Sequence, residues 1–253
     1  MEERHRLSLI IATLGPSTDD EQELKIMIIA GIARQWTDGV DIARVLHSDG
    51  ESITKERIKK FKAESEKRKR KTFIYLDTDD TKNFSDYLAF AKDIQPDYIS
   101  IFKENGLEKI KEAKSSGFTK SKIGVRLKKD DETNDIEDFL KEADFVMFEI
   151  DSKKIADEKL VIRSKENNCE PIYLARMPTL MKGQVQSRDE NLEIGNTLED
   201  GFDVIALYQE TSHGPYPARA VKCLDEIAVE SEKLRHNPFS DFMGKIFSLF
   251  KKK

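Results

Sequence analysis

The sequence predicts a closed (βα)8 barrel of the TIM type, an α/β fold, followed by a short amphipathic tail. Three observations carry that expectation. Short β-branched runs alternate with charged helical stretches eight times in succession, a pattern that requires a parallel sheet covered by helices. The runs are continuously apolar, as in strands buried on both faces. The chain has 253 residues, close to the roughly 250 that one such barrel needs.

Each unit is readable in turn. The first pairs a strand at Leu7–Thr13 with a helix near Glu21–Ala30. Gly15-Pro16 stops the strand, and Ser17 or Thr18 followed by acids caps the helix. The second strand, Val40–Leu46, leads to a helix at Lys55–Arg68, and the third, Thr72–Leu76, to one near Ser85–Lys92. Tyr98–Phe102 precedes Leu107–Ser115, and Lys122–Leu127 precedes Ile136–Glu142. The sixth strand, Asp144–Ile150, leads to a helix near Ala156–Asn167. The last two units pair Pro171–Ala175 with Asn191–Asp200, and Asp203–Leu207 with Pro217–Leu234. An open doubly wound sheet is the rival fold, but it wants a glycine-rich phosphate turn after its first strand. Gly15-Pro16-Ser17 is not that turn. Residues 1–236 therefore form the barrel and 237–253 the tail.

Composition narrows the function. Acidic residues (48) outnumber basic ones (43), a net charge of −5 that argues against a general nucleic-acid binder. Two cysteines, Cys169 and Cys223, cannot build a disulfide framework, which points to a reducing compartment. The sequence shows no apolar run long enough to span a bilayer and no signal-peptide core near Met1, so a cytoplasmic location is expected.

In this fold, function gathers at the C-terminal ends of the strands. The polar residues there are Thr13 and Ser17; Arg44, His47, Ser48 and Asp49; Asp77, Thr78, Asp79 and Asp80; Lys103; Arg126; Glu149 and Asp151; Arg176; and Glu210 to His213. Zinc spacing, Walker loops, a nucleophile elbow and HExxH are all missing from the sequence. Asp77, Asp79 and Asp80 suit either a hard cation or a polar turn that caps the next helix.

Several ordered segments resemble the barrel domain of pyruvate kinases. Thr13-Leu14-Gly15-Pro16-Ser17 resembles the family's opening T-[IL]-G-P-[AS]-S, and Gly39 to Gly50 resembles G-x-[DN]-V-A-R-x-N-F-S-H-G. Leu76-Asp77-Thr78 resembles L-D-T, Ser121-Lys122-Ile123 the start of S-K-I-E-N, and Pro171 to Met177 a shortened P-V-x-x-A-T-Q-M. Gly201 to Pro217 resembles the segment ending in E-T-A-x-G-x-Y-P.

The resemblance implies a phosphate contact at Arg44, potassium ligands at Ser48, Asp77 and Thr78, a catalytic lysine at Lys122 and a magnesium ligand at Asp151. It implies magnesium and potassium as cofactors if the chain is active, and none otherwise.

The departures are as informative. Leu46 replaces an asparagine ligand, Gly124 stands at the family's metal-binding glutamate, and Asp79-Asp80-Thr81-Lys82 replaces the K-G-P-E-I-R that supplies a catalytic arginine. The threonine of A-T-Q-M falls at Ala175. Neither the family's lid, which follows L-D-T, nor its C-terminal regulatory domain is expected. Phosphoryl transfer rests on positioning and charge neutralisation, so such losses imply an impaired or inactive site. Arg44 and Lys122 then either bind a phosphate or carboxylate or pair with Asp77 and Asp151 as internal ion pairs.

Two features stand outside the resemblance. Gly31 to Asp38 reads as an insertion carrying the single tryptophan, Trp36, which either packs locally or makes a contact. In the tail, Phe239, Phe242, Met243, Ile246, Phe247 and Phe250 recur at helical spacing, and Lys245 and Lys251 to Lys253 add positive charge. That face suits a protein contact, packing on its own barrel, or an anionic membrane surface. The sequence thus describes a pyruvate-kinase-like pseudoenzyme, a regulatory or structural subunit that pairs with itself or with a full-length pyruvate kinase. The alternative is a minimal active pyruvate kinase that transfers phosphate from phosphoenolpyruvate to ADP.

Overall fold

The computed structural model describes residues 6–29, 39–78, 83–149 and 152–235. Trp36, Asp79, Asp80, Asp151 and the tail positions Phe239, Phe242, Met243, Ile246, Phe247 and Phe250 lie outside the described residues.

Eight parallel strands close into one barrel in sequence order. They are β1 (Leu9–Thr13), β2 (Ile42–Leu46), β3 (Phe73–Asp77), β4 (Tyr98–Phe102), β5 (Lys122–Leu127), β6 (Phe145–Phe148), β7 (Glu170–Ala175) and β8 (Val204–Leu207). Parallel strands must be connected by crossovers, and the helices that make them bury the outer face of every strand. These are α1 (Glu21–Ile29), α2 (Glu51–Lys67), α3 (Phe84–Ile94), α4 (Leu107–Ser115), α5 (Ile136–Glu142), α6 (Ser152–Asp157), α7 (Leu160–Glu166), α8 (Arg188–Glu199), α9 (Gln209–Ser212) and α10 (Pro217–Arg235). Among the described residues no helix is long and apolar enough to cross a membrane.

Two elements differ from the sequence reading. The helix expected near Ala156–Asn167 is two, α6 and α7, because Lys159 adopts a left-handed conformation (φ 51°) that no α-helix can run through. The short α9 fills the loop after β8, where no helix was expected.

Strand residues alternate inward and outward. The inward set forms a small inner core of Ile11, Ile42, Tyr75, Tyr98, Phe145, Met147, Ile172, Leu174, Val204 and Ala206. Its centre is aromatic: Tyr75 meets Phe145 edge-on at 5.4 Å between centroids, and Tyr98 meets Phe145 at 5.5 Å. Gly124 makes room for this packing, since a Cβ there would lie 2.5 Å from the Phe145 ring carbons. Its lack of a side chain is therefore a demand of the barrel interior.

The seam that closes the barrel joins β1 to β8. The Thr211 hydroxyl of α9 donates to the Thr13 carbonyl at 2.9 Å, and the Thr13 hydroxyl donates to the Leu207 carbonyl at 2.8 Å. Gly15 sits so close to α9 that a Cβ would lie 2.6 Å from Ser212. The T-x-G-P-S and E-T-S-x-G segments are thus two sides of one joint.

Candidate functional site at the C-terminal mouth

Continuing the inward alternation towards the strand ends brings polar residues together: Thr13, Arg44, Asp77, Ser100 and Arg126 all point inward at the C-terminal mouth. Asp77 is the hub. Its Oδ2 accepts from Arg44 Nε at 2.7 Å and lies 2.6 Å from Arg44 Nη2, while Arg126 Nη1 donates to the same oxygen at 3.2 Å. Its Oδ1 accepts from the Ser100 hydroxyl and from the Thr78 amide at 2.8 Å. Asp77 and Arg44 are fully buried and Arg126 nearly so.

Further contacts lock the two guanidinium groups. Arg44 Nη1 donates to the Thr13 hydroxyl at 3.0 Å, and the group lies 4.7 Å from the Tyr208 ring centroid. Arg126 Nη2 donates to Glu149 at 3.0 Å, and its plane lies 4.8 Å from the Phe102 centroid. Arg176 reaches the other Glu149 oxygen at 3.4 Å from the more exposed side. Burial alone pushes the Asp77 carboxyl up. The pull of Arg126 and Arg44 and the Ser100 hydrogen bond outweigh it and hold the carboxyl below its ordinary range. Burial, then the Asp77 charge, pushes the Tyr75 hydroxyl far upward.

Beside this cluster is a cavity of about 280 Å³ lined by Glu149, Arg176, Tyr208 and Glu210, among others. The Glu210 carboxylate accepts from the Met177 amide at 2.7 Å and so braces the loop after β7.

The expected site residues divide sharply. Arg44, Asp77 and Thr78 meet at the mouth, and Arg44 takes the internal ion pair rather than presenting a free guanidinium. Ser48 lies in the His47–Asp49 turn that follows β2. Lys122 is corrected: it opens β5 at the N-terminal end of the barrel, about 13 Å along the strand from Arg126. There its ammonium pairs with Glu170 at 2.8 Å and donates to the Tyr98 hydroxyl at 3.4 Å. Burial lowers its pKa, but Glu170 and Tyr98 outweigh that and raise it. A lysine at this end cannot act on a substrate bound at the mouth. The other member of its expected ion pair, Asp151, lies outside the described residues.

Arg126 and Glu149 were visible as strand-end residues, but their link to Asp77 was not. Ser100 was missed altogether. Its signal is present, since it is the one hydroxyl inside the apolar run Tyr98-Ile99-Ser100-Ile101-Phe102 apart from the opening tyrosine.

The residues present do not fit a potassium ion. A monovalent cation needs free oxygen ligands, but both Asp77 oxygens are occupied and two positive guanidinium groups stand at the position. Among the described residues no group of three or more His, Cys, Asp or Glu side chains is placed to hold a metal ion. The connection from β3 to α3 runs only from Asp77 to Phe84, too short for an inserted lid domain.

Fold and mouth define a barrel with the architecture of (βα)8 enzymes and a charged, internally neutralised centre. Comparison with known proteins adds a distant relationship. A stretch of 159 residues is 24% identical to the pyruvate kinase of Agrobacterium vitis, covering 59% of this chain and 33% of that protein. A stretch of 78 residues is 30% identical to the pyruvate kinase of Thermotoga maritima, covering 30% of this chain and 17% of that protein. A third, also of 78 residues, is 28% identical to the pyruvate kinase of Haemophilus influenzae. The matched stretches thus span a third or less of these relatives, from 33% down to 16%. No family model matches the chain.

Proposed function

We infer that this chain is a pyruvate-kinase-like barrel whose phosphoryl-transfer machinery has been dismantled. It works as a non-catalytic regulatory or structural subunit, with copies of itself or with an intact pyruvate kinase, and needs neither magnesium nor potassium. The observation that carries this reading is the saturation of Asp77 by Arg44 and Arg126. A carboxylate that would help to hold a cation has become the counterion of two arginines.

The strand register supports the same reading. The resemblance places a lysine and, two residues on, a metal-binding glutamate. Set at the mouth end of β5, where barrel chemistry is done, those two positions fall on Arg126 and Lys128. Set where the short S-K-I pattern falls, they are Lys122, at the far end, and Gly124, where Phe145 leaves no room for a side chain. Neither register supplies the carboxylate. The best-retained segments, around Gly15 and Thr211, close the barrel seam and are maintained by packing whether or not chemistry survives. The segments that have diverged are those that neutralise charge in phosphoryl transfer.

The test is a coupled assay for pyruvate formation from phosphoenolpyruvate and ADP, with magnesium and potassium, on the purified chain. No turnover at high protein concentration, together with co-purification of an intact pyruvate kinase or self-association by light scattering, is expected. Metal-dependent turnover, or a solitary monomer that captures no partner, overturns the reading.

A further inference from the structure

A groove on the described surface lies between α8 and α10. It encloses about 410 Å³. Leu192, Cys223 and Ile227 supply its apolar floor, and Glu199, Glu226 and Glu230 give its walls an acidic excess over the single Arg188. Leu192 is 52% exposed, unusual for a leucine in the middle of a packed helix. Glu226 and Glu230 have lysine neighbours on their own helix, Lys222 at 3.8 Å and Lys233 at 2.7 Å, whereas the last turn of α8, which ends in Glu199, carries no basic residue.

We propose that this groove is the docking site of the chain's own C-terminal segment, Phe239 to Phe250, folded back along α10. Three facts select this occupant. The first is reach. α10 ends at Arg235, so Cys223 lies about 18 Å back along it, and a twelve-residue helix from Phe239 to Phe250 also spans about 18 Å. His236-Asn237-Pro238 supplies the short connection that an antiparallel helix pair needs, with the proline suited to a helix start. The second is apolar complementarity: Phe239, Phe242, Met243, Ile246, Phe247 and Phe250 form one face, matching the floor formed by Leu192 and Ile227. The third is charge. Lys245 and Lys251 to Lys253 are basic, and the groove walls are acidic.

The segment then acts as an eleventh helix that covers α8 and α10 and removes their apolar strip from solvent. It competes with any partner that uses the α8 face.

Hydrogen exchange on the full chain tests this. The double variant Phe242→Glu/Phe247→Glu and the groove variant Ile227→Glu are each compared with the unaltered protein. Exchange at 188–199 and 223–231 is expected to accelerate about tenfold in both variants, with β1 to β8 unchanged. Unchanged exchange over those two segments overturns the proposal. A dimer by light scattering that the tail variant abolishes assigns the groove to a second copy, and also overturns it. So does tail-dependent flotation with phosphatidylserine vesicles when exchange in the groove is unaffected, because the segment then meets lipid.

Discussion

The two ends of this barrel carry the same kinds of residue in opposite circumstances. At the C-terminal mouth, Arg44 and Arg126 share the fully buried carboxylate of Asp77. At the N-terminal end, Lys122 pairs with Glu170, with side chains 45% and 28% exposed. Inward alternation puts both clusters inside the barrel wall, but only one is cut off from water. In the dry cluster each charge depends on its partners, since a buried ion left alone is costly. In the wet one, water screens the pair and either member is dispensable. The difference explains why a lysine is tolerated at one end while the other uses arginines, whose planar groups share a carboxylate and stack on Tyr208 and Phe102.

The largest test of that contrast is Asp77→Ala. It leaves two buried guanidinium groups without their shared counterion and is expected to cost about 3–5 kcal/mol of unfolding free energy in a urea titration. A loss no larger than that of a surface pair removes the distinction between the ends. Next is Gly124→Ala, which forces a methyl group against the Phe145 ring. Overpacking of this kind costs about 1–3 kcal/mol, and a neutral result means that the ring can move aside.

The third test uses pH. The Asp77 carboxyl is depressed in the folded protein, so its contribution is fully present above the unfolded value of about 3.9. It is lost as pH falls through the lower folded value. Stability measured below about pH 4 should therefore fall more steeply for the unaltered chain than for Asp77→Asn. Parallel curves would mean that Asp77 is not the titrating group. The smallest effect is Lys122→Ala, expected to cost less than about 1 kcal/mol, because the pair it breaks is solvent-screened.

Much of the fold was legible because a buried parallel strand has a plain signature. The runs Tyr98–Phe102 and Lys122–Leu127 are readable to the residue, the first because its apolar content begins and ends with the strand. The break at Lys159 was not, because a left-handed turn at a lysine leaves no compositional mark. For the site, position at the strand ends singles out Arg44, Asp77 and Arg126. Lys122 rests instead on a three-residue likeness, which chose the wrong end of β5. Height along the barrel axis is what separates Lys122 from Arg126, and the strand limits already contained it. Ser100 shows the remaining gap: its partnership with Asp77 depends on strand-to-strand register, which one sequence does not encode locally.

Two arginines close Asp77 to cations. Thermal unfolding in potassium and magnesium chloride, against tetramethylammonium chloride at matched ionic strength, tests it most directly. Coincident transitions are expected. A specific ion that binds the folded state stabilises it by about 2.7 kcal/mol at a hundredfold excess over its Kd. A shift of that kind, lost in Asp77→Asn, would contradict the account and restore a working cation site to the mouth.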